Sequence, residues 1–333
     1  MVKYSVLDQS IAIAGLPHAA SIQDTIELAQ LIEKLGYFRF WVSEHHNHGT
    51  ILGTAPEILM AAIAQTTKKI RIGSAGVMLP HYSPYKIAEQ FRVLDAIAPG
   101  RIDLGLGRAP GSDSKTSMAL NPNGRFNTEN FPSNVRDLIA WVSNKPLIDT
   151  HPYKSLKAYP LGNTMPDLWM LGSSDYGAQL AAHFGIPYCF AHFITDGSGL
   201  SRAAHLYRDS YQPSERYPEP LLSACVWALA AENEEKAKYL FKPRAHWKLM
   251  RNRGILAPLI SPINAQKYTY SNTDEAFMDD LYRHSLVGTP AYLKERLNSL
   301  IKDSTLDEVV LLTWSYDKQD RLHSYKLLAK TLL

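Results

Sequence analysis

Residues 37–48 read YFRFWVSEHHNH, and their alternation decides the fold. Written as a strand, Phe38, Phe40 and Val42 share one face, while Arg39, Trp41, Ser43 and His45 share the other. The first face is wholly apolar and suits packing against helices. The second mixes charge, an indole and a histidine, and suits the lumen of a closed barrel. The same division recurs further along the chain. Ile70 and Ile72 oppose Arg71, Gly73 and Ala75, and Ile102, Leu104 and Leu106 oppose Arg101, Asp103, Gly105 and Gly107.

Outward from this stretch the chain alternates strand and helix, which argues for a parallel sheet. A first strand over Tyr4–Ser10 precedes a helix that Ser21 caps and Gly36 stops. The strand Tyr37–His45 is followed by a helix from about Ala55 to Thr66. Further strands are expected at Ile70–Leu79, Arg101–Arg108, Asp167–Leu171, Tyr188–Phe193, Leu221–Ala231 and Glu308–Trp314. Among the intervening helices, Pro84 opens one and Asp175–Phe184 forms another. Eight such units predict an α/β fold, a (β/α)8 TIM barrel over residues 1–333 as one domain, with insertions at about 109–129, 145–166 and 251–273. The last insertion reads as an irregular lid over the active end. An open doubly wound sheet is the alternative. In a barrel, chemistry sits at the strand C-terminal ends, here His45, Ala75–Met78, Gly107–Arg108 and Gly172–Ser174. Near the strand starts Arg39, Arg71, Arg101 and Asp103 share the inward phase. A buried charge needs a partner, so Asp103 should pair with at least one of these arginines.

Composition narrows the function. The 333 residues are 45% hydrophobic and 20% charged, with 35 basic and 32 acidic side chains and a net charge of +3. That balance is globular and gives no footprint for nucleic acid or a membrane surface. The two cysteines, Cys189 and Cys225, lie in apolar strand-like runs and read as core thiols. The early run IAIAGLPHAA reads as strand and loop rather than a leader, which predicts a cytoplasmic protein.

Four clusters carry chemistry. Ser43–His48 offers three histidines, open to a metal, a structural or an acid/base reading. No H-E-x-x-H or cysteine partner supports a metal, and histidine titrates near neutrality. In Gly73–Pro80, small residues either let a flat ring approach the backbone or simply fit a crowded barrel lumen. Gly105–Asp113 has the spacing G-x-G-x-x-x-G with Pro110 where a helix should begin, which excludes a dinucleotide fingerprint. Arg108 just past a strand end suits an anion, or a surface ion pair. Gly172–Asp175 leaves a strand and enters a helix, so Gly172, Ser173 and Ser174 offer donors to an anion, unless Ser174 or Asp175 merely caps that helix.

Taken together, FWVSEHHN (40–47), IGSAGVMLPHYSPYKIAEQF (72–91), GRIDLGLGRAPGSD (100–113) and LWMLGSSDYGAQLAAHFGIP (168–187) resemble the bacterial luciferase-like flavin monooxygenases, in family order. The resemblance implies reduced FMN reacting with O2 on a small organic substrate, with the isoalloxazine over a cis peptide at Ala75–Gly76. It implies His45 as the catalytic base, and Arg108, beside Gly107, with the Gly172–Ser173–Ser174 turn as phosphate ligands. Apart from the resemblance, Glu89 in the helix after Pro84 reads either as a supporting acid or as a solvated helix acid. A separate flavin reductase would supply FMNH2, and a homodimer is expected by analogy. Part of the superfamily uses deazaflavin F420 for hydride transfer, and a non-catalytic flavin-binding protein is a third reading. Three positions depart from the luminescent members. Their cysteine beside the phosphate arginine is Gly107, a phosphate threonine falls at Gly177, and a histidine before Pro84 is Ser83. These departures speak against luminescence and aldehyde oxidation rather than against flavin.

Overall fold

Among the described residues the chain forms nine strands, most of them from the apolar alternating runs: β1 Lys3–Asp8, β2 Arg39–Val42, β3 Arg71–Met78, β4 Ile102–Gly107, β5 Asp167–Gly172, β6 Tyr188–Phe190, β7 Leu222–Ala230, β8 Leu286–Gly288 and β9 Glu308–Leu312. They belong to a computed structural model that describes residues 2–108, 113–122 and 129–333. Neighbouring strands are parallel, and β6 pairs with both β5 and β7, which closes the ring. Eight strands, β1 to β7 and β9, make a closed (β/α)8 barrel. β8 joins only the outer end of β7, through Ala228–Ala230. Its three residues carry too short a pattern to announce a strand. None of the described helices is long and apolar enough to cross a membrane.

Several element ends differ from expectation for local reasons. The first helix starts at His18, and Ser21 lies inside it, where its hydroxyl donates to the Ile11 carbonyl at 2.7 Å instead of capping. Gly36 does stop that helix, with φ of 90°. β2 ends at Val42 because the chain then turns back, and the His45 N–H donates to the Gly53 carbonyl at 2.9 Å. Beyond β6, His192–Thr195 is a helical turn rather than strand. The expected 109–129 loop holds the helix Ser114–Leu120, capped by Asp113, while 109–112 and 123–128 lie outside the described residues. The 251–273 stretch is less irregular than expected. It contains the helix Pro262–Lys267, and the Leu259 backbone ladders with Ala12 and Ala14.

Strand phase sorts the core into two layers. Phe40, Val42, Ile72, Ile102, Leu104 and Leu106 pack outward against the helices. Leu7, Trp41, Trp169, Cys189, Cys225 and Trp227 fill the lumen. Trp41 and Trp169 meet edge to face with ring centres 5.1 Å apart. Glycine at 73 is required by this crowding, since a Cβ there would lie 2.6 Å from the Trp41 ring and 2.7 Å from Asp103 Cβ.

Below the indoles lies a charged floor. Asp103 is fully buried and accepts from Arg39 Nη1 at 2.9 Å, Trp41 Nε1 at 2.9 Å and Arg71 Nη2 at 2.6 Å. Arg39 also grips Glu308 through Nε at 2.9 and 3.0 Å, and Arg71 reaches Asp167 at 2.5 Å. Asp103 thus pairs with two of the three arginines in phase with it. Arg101 does not join them; its guanidinium donates to Thr67 Oγ1 and to the Ile70 and Ala64 carbonyls. Burial alone would raise the Asp103 pKa, but the Arg39 and Arg71 charges hold it below the ordinary carboxylate range.

Removing one partner from such a network strands buried charge. Asp103→Asn should therefore destabilise the fold by about 3–5 kcal/mol in chemical denaturation. Because the folded pKa is lowered, the wild-type contribution is complete above about pH 4 and is lost as pH falls through the folded value. A loss below about 1 kcal/mol would mean that the floor contributes little.

Candidate functional site

At the C-terminal mouth of the barrel the strand ends surround a cavity of about 530 Å³. His45, Ala75, Gly76, Gly107, Arg108, Gly172, Ser173 and Ser174 all line it. They come from the ends of four neighbouring strands, β2 to β5, which the sheet order sets side by side.

The β3 edge is shaped by a slip in the ladder. Between Ser74 and Val77 the pairing of β3 with β4 shifts register, and the Ala75–Gly76 peptide in this bulge is cis. Ser74 Oγ fills the break: it donates to the Gly105 carbonyl at 3.0 Å and accepts the Gly105 N–H at 3.1 Å. A Cβ on Gly76 would stand 2.8 Å from the Gly105 carbonyl oxygen and 2.6 Å from Leu171 Cδ1. Here, as at Gly73, the small residue answers the crowding of the neighbouring strand. Gly172 differs, since nothing lies within 4 Å of a Cβ placed there.

The histidine cluster divides by task. His48 Nδ1 accepts the backbone N–H groups of Thr50 and Ile51 at 3.1 and 3.0 Å, so that nitrogen carries no proton. His46 Nε2 lies 2.8 Å from Glu44 Oε1, which also accepts from Tyr82 OH at 2.8 Å. Glu44 Oε2 takes the Met78 N–H at 3.2 Å. Among the described residues, His45 is the one member of the three that lines the cavity. Its Nδ1 is buried without a partner. Burial, and then the charges of His48 and His46, lower its pKa to about 4, so the imidazole is neutral at neutral pH.

The opposite rim is cationic. Arg108 is exposed and its guanidinium carbon sits 4.2 Å from the ring centre of Tyr176. No hydrogen bond or ion pair holds Arg108 among the described residues. Ser174 occupies the N-cap position of the helix Asp175–Phe184, yet its side chain makes no capping bond. The helix start therefore keeps its N–H donors for another acceptor. Asp175, the one acid in that first turn, is paired with Arg202 at 2.7 Å. A guanidinium set against the Tyr176 ring, two hydroxyls and an uncapped helix start suit a phosphate. The lining formed by Leu7, Trp41, Met170 and Phe193 suits a flat apolar ring.

Some expectations shift. Glu89 does not reach the cavity; it is paired with Lys86 at 3.7 Å on the helix surface. Ser83 caps that helix, accepting the Lys86 N–H at 3.5 Å. Cys189 and Cys225 are buried, but they form part of the cavity wall. Burial pushes Cys189 up to about 12 and Cys225 well above its ordinary value, so both are thiols. Glu44, Tyr176 and Gln9 also line the cavity and were assigned no role from the sequence. Glu44 could have been suspected from its place inside the histidine cluster. Tyr176 and Gln9 carry no local signal.

A family model described as luciferase-like monooxygenase matches residues 5–308. A luciferase-like monooxygenase of Escherichia coli strain K12 is 38% identical, over 98% of this chain and 96% of that one. The N-acetyl-S-alkylcysteine monooxygenase of Bacillus subtilis strain 168 is 35% identical, over 100% of this chain and 99% of that one. Among solved structures, apo-MsnO8 superposes with a TM-score of 0.90 at 33% identity, covering 99% of this chain and 98% of that one. With a closed parallel barrel, a cavity at its C-terminal mouth and these relatives along its whole length, the chain belongs to the luciferase-like monooxygenase family.

Proposed function

We propose that residues 1–333 act as one barrel domain, an FMN-dependent monooxygenase that uses reduced FMN and O2 on a small organic substrate. The observation that carries this reading is the meeting of His45, the Ala75–Gly76 bulge, Arg108 and the Ser173–Ser174 turn on one cavity. Reduced FMN, when bound, supplies the electrons that activate oxygen. The chain's own residues bind, orient and shield.

Arg108 and the Ser173 and Ser174 hydroxyls hold the phosphate, with the Gly172 backbone and the helix start completing the donor set. Gly107 keeps the approach to Arg108 open. The Ala75–Gly76 backbone forms the platform for the ring, and the surrounding apolar side chains exclude water. His45 enters neutral and can take up a proton as negative charge develops beside it, because a nearby anion raises an imidazole pKa. A separate flavin reductase supplies FMNH2, since the sequence has no NAD(P)H fingerprint. By family analogy the protein works as a homodimer, and the cytoplasm is the compartment expected from its sequence. S-alkylated N-acetylcysteines, after the Bacillus relative's name, are the first substrates to try.

Titration of the pure protein with FMN, FMNH2 and F420 tests the cofactor. Tight binding of FMNH2 is expected, and failure to bind either form of FMN would sink the reading. Arg108→Ala should weaken FMN roughly tenfold or more, as a charge-assisted hydrogen bond is worth ~1.5–3 kcal/mol, while barely changing riboflavin, which lacks the phosphate. Equal losses for both ligands would make Arg108 structural.

The His45 ring, followed by NMR and assigned with His45→Gln, should titrate near about 4 in the ligand-free protein and higher with FMNH2 present. A ligand-free value near about 6.5 would show an ordinary solvated imidazole and remove it from the proton-handling role.

A further inference from the structure

The helix Glu234–Asn252 follows β7 and presents Arg244, Lys248 and Arg251 along one face, at helical spacing. Arg244 is 6% exposed. Its guanidinium carbon lies 5.6, 5.2 and 5.1 Å from the ring centres of Trp227, Trp247 and Trp314. Neither its Nε nor its Nη1 has a hydrogen-bond partner among the described residues. Among the described residues no carboxylate stands within ion-pair distance of it, and the neighbouring Asp196 is taken by buried Lys248. Trp227 Nε1 is another buried donor without an acceptor.

An indole cage stabilises a guanidinium through the ring faces but leaves its N–H groups unmet. Buried donors without acceptors are costly, so an arrangement like this one calls for an acceptor from outside the chain. Burial works against the charge on Arg244, Asp196 opposes that effect, and Arg251 adds to it. An arriving anion relieves both the charge and the unmet donors. The planar fork of an arginine matches a carboxylate in shape and charge.

The cage lies one layer behind the cavity wall: Arg244 and its three indoles do not line the cavity, but their neighbours do. Trp227 follows Cys225 on the inward face of β7, and Trp314 Nε1 donates to Gln9 Oε1 at 3.1 Å; Cys225 and Gln9 both line the cavity. Trp314 lies just past β9, four strands round the ring from β4, whose end carries Arg108. The two cationic groups therefore stand on opposite sides of the barrel mouth.

We propose that Arg244 and its indole cage receive the carboxylate of the substrate, which makes the substrate an organic acid. This rests on the monooxygenase reading in one respect, that the acid is what the enzyme oxidises. The anion site itself stands on the cage alone.

The test titrates the purified full chain with phenylacetate, butyrate and hippurate, each beside its carboxamide, and reads quenching of the tryptophan fluorescence. At least one acid should bind roughly tenfold tighter than its amide, a difference of ~1.4 kcal/mol. Arg244→Gln should erase that preference, and Arg244→Lys should retain part of it, while FMN affinity stays at the wild-type level in both. If no acid outbinds its amide in the wild type, the inference is overturned without recourse to any variant. Retention of the full acid preference in Arg244→Gln overturns it equally. If FMN fails to bind while the acid preference holds, the monooxygenase reading falls and the anion site remains.

Discussion

The carboxylate of Asp103, sealed inside the barrel, is the constraint on which the other layers rest. Burying it is unfavourable unless its oxygens are met by charge and by donors. Arg39, Arg71 and Trp41 supply both, and through Glu308 and Asp167 the same network reaches β9 and β5. Five of the eight barrel strands are thus tied at one level. A slip of one residue in any of them would turn its charged side chain out of the lumen, so the network also fixes register. The guanidinium of Arg39 lies 4.6 Å from the ring centre of Trp169, which couples the charged floor to the indole layer above it.

That layering decides where a cavity can form. The indoles of Trp41 and Trp169 fill the lumen above the charges, and space opens only beyond them, at the strand C-terminal ends. The bulge at Ala75–Gly76 would break the β3–β4 ladder at this level, and the Ser74 hydroxyl repairs it with two hydrogen bonds to Gly105. Glu44 performs a similar service for the rim. One buried carboxylate holds His46, Tyr82 and the Met78 backbone, and so joins the loop after β2 to the end of β3. His45 is left as a neutral ring on a cavity whose wall also carries two thiols that burial keeps protonated.

Read from residues alone, the alternation in 37–48 and its echoes at 70–75 and 101–107 were enough to place charge inward and aliphatic side chains outward, because a strand's period of two is local. The helix Asp175–Phe184 was legible to the residue, its start marked by the polar turn before it and its end by Gly185 in the left-handed region. The ends of β2 and β6 were not, since both strands stop where the chain pairs with or turns against distant segments. β8 escaped because three residues cannot show a period.

The sequence by itself favoured the barrel over an open sheet, and pointed to eight of the residues that line the cavity and to the pairing of Asp103 with arginine. Each of these follows from periodicity, from motif order or from the cost of an unpaired buried charge. Tertiary structure alone decided which of Arg39, Arg71 and Arg101 reach Asp103, and that Glu44 anchors the rim while Glu89 pairs with Lys86 away from the cavity. It alone gathered Trp227 from β7, Trp247 from the helix that follows and Trp314 from just past the end of the distant β9 around Arg244. The physical reason is that residue spacing specifies which face a side chain occupies. Its partner across the lumen depends on how the strands are staggered when the ring closes.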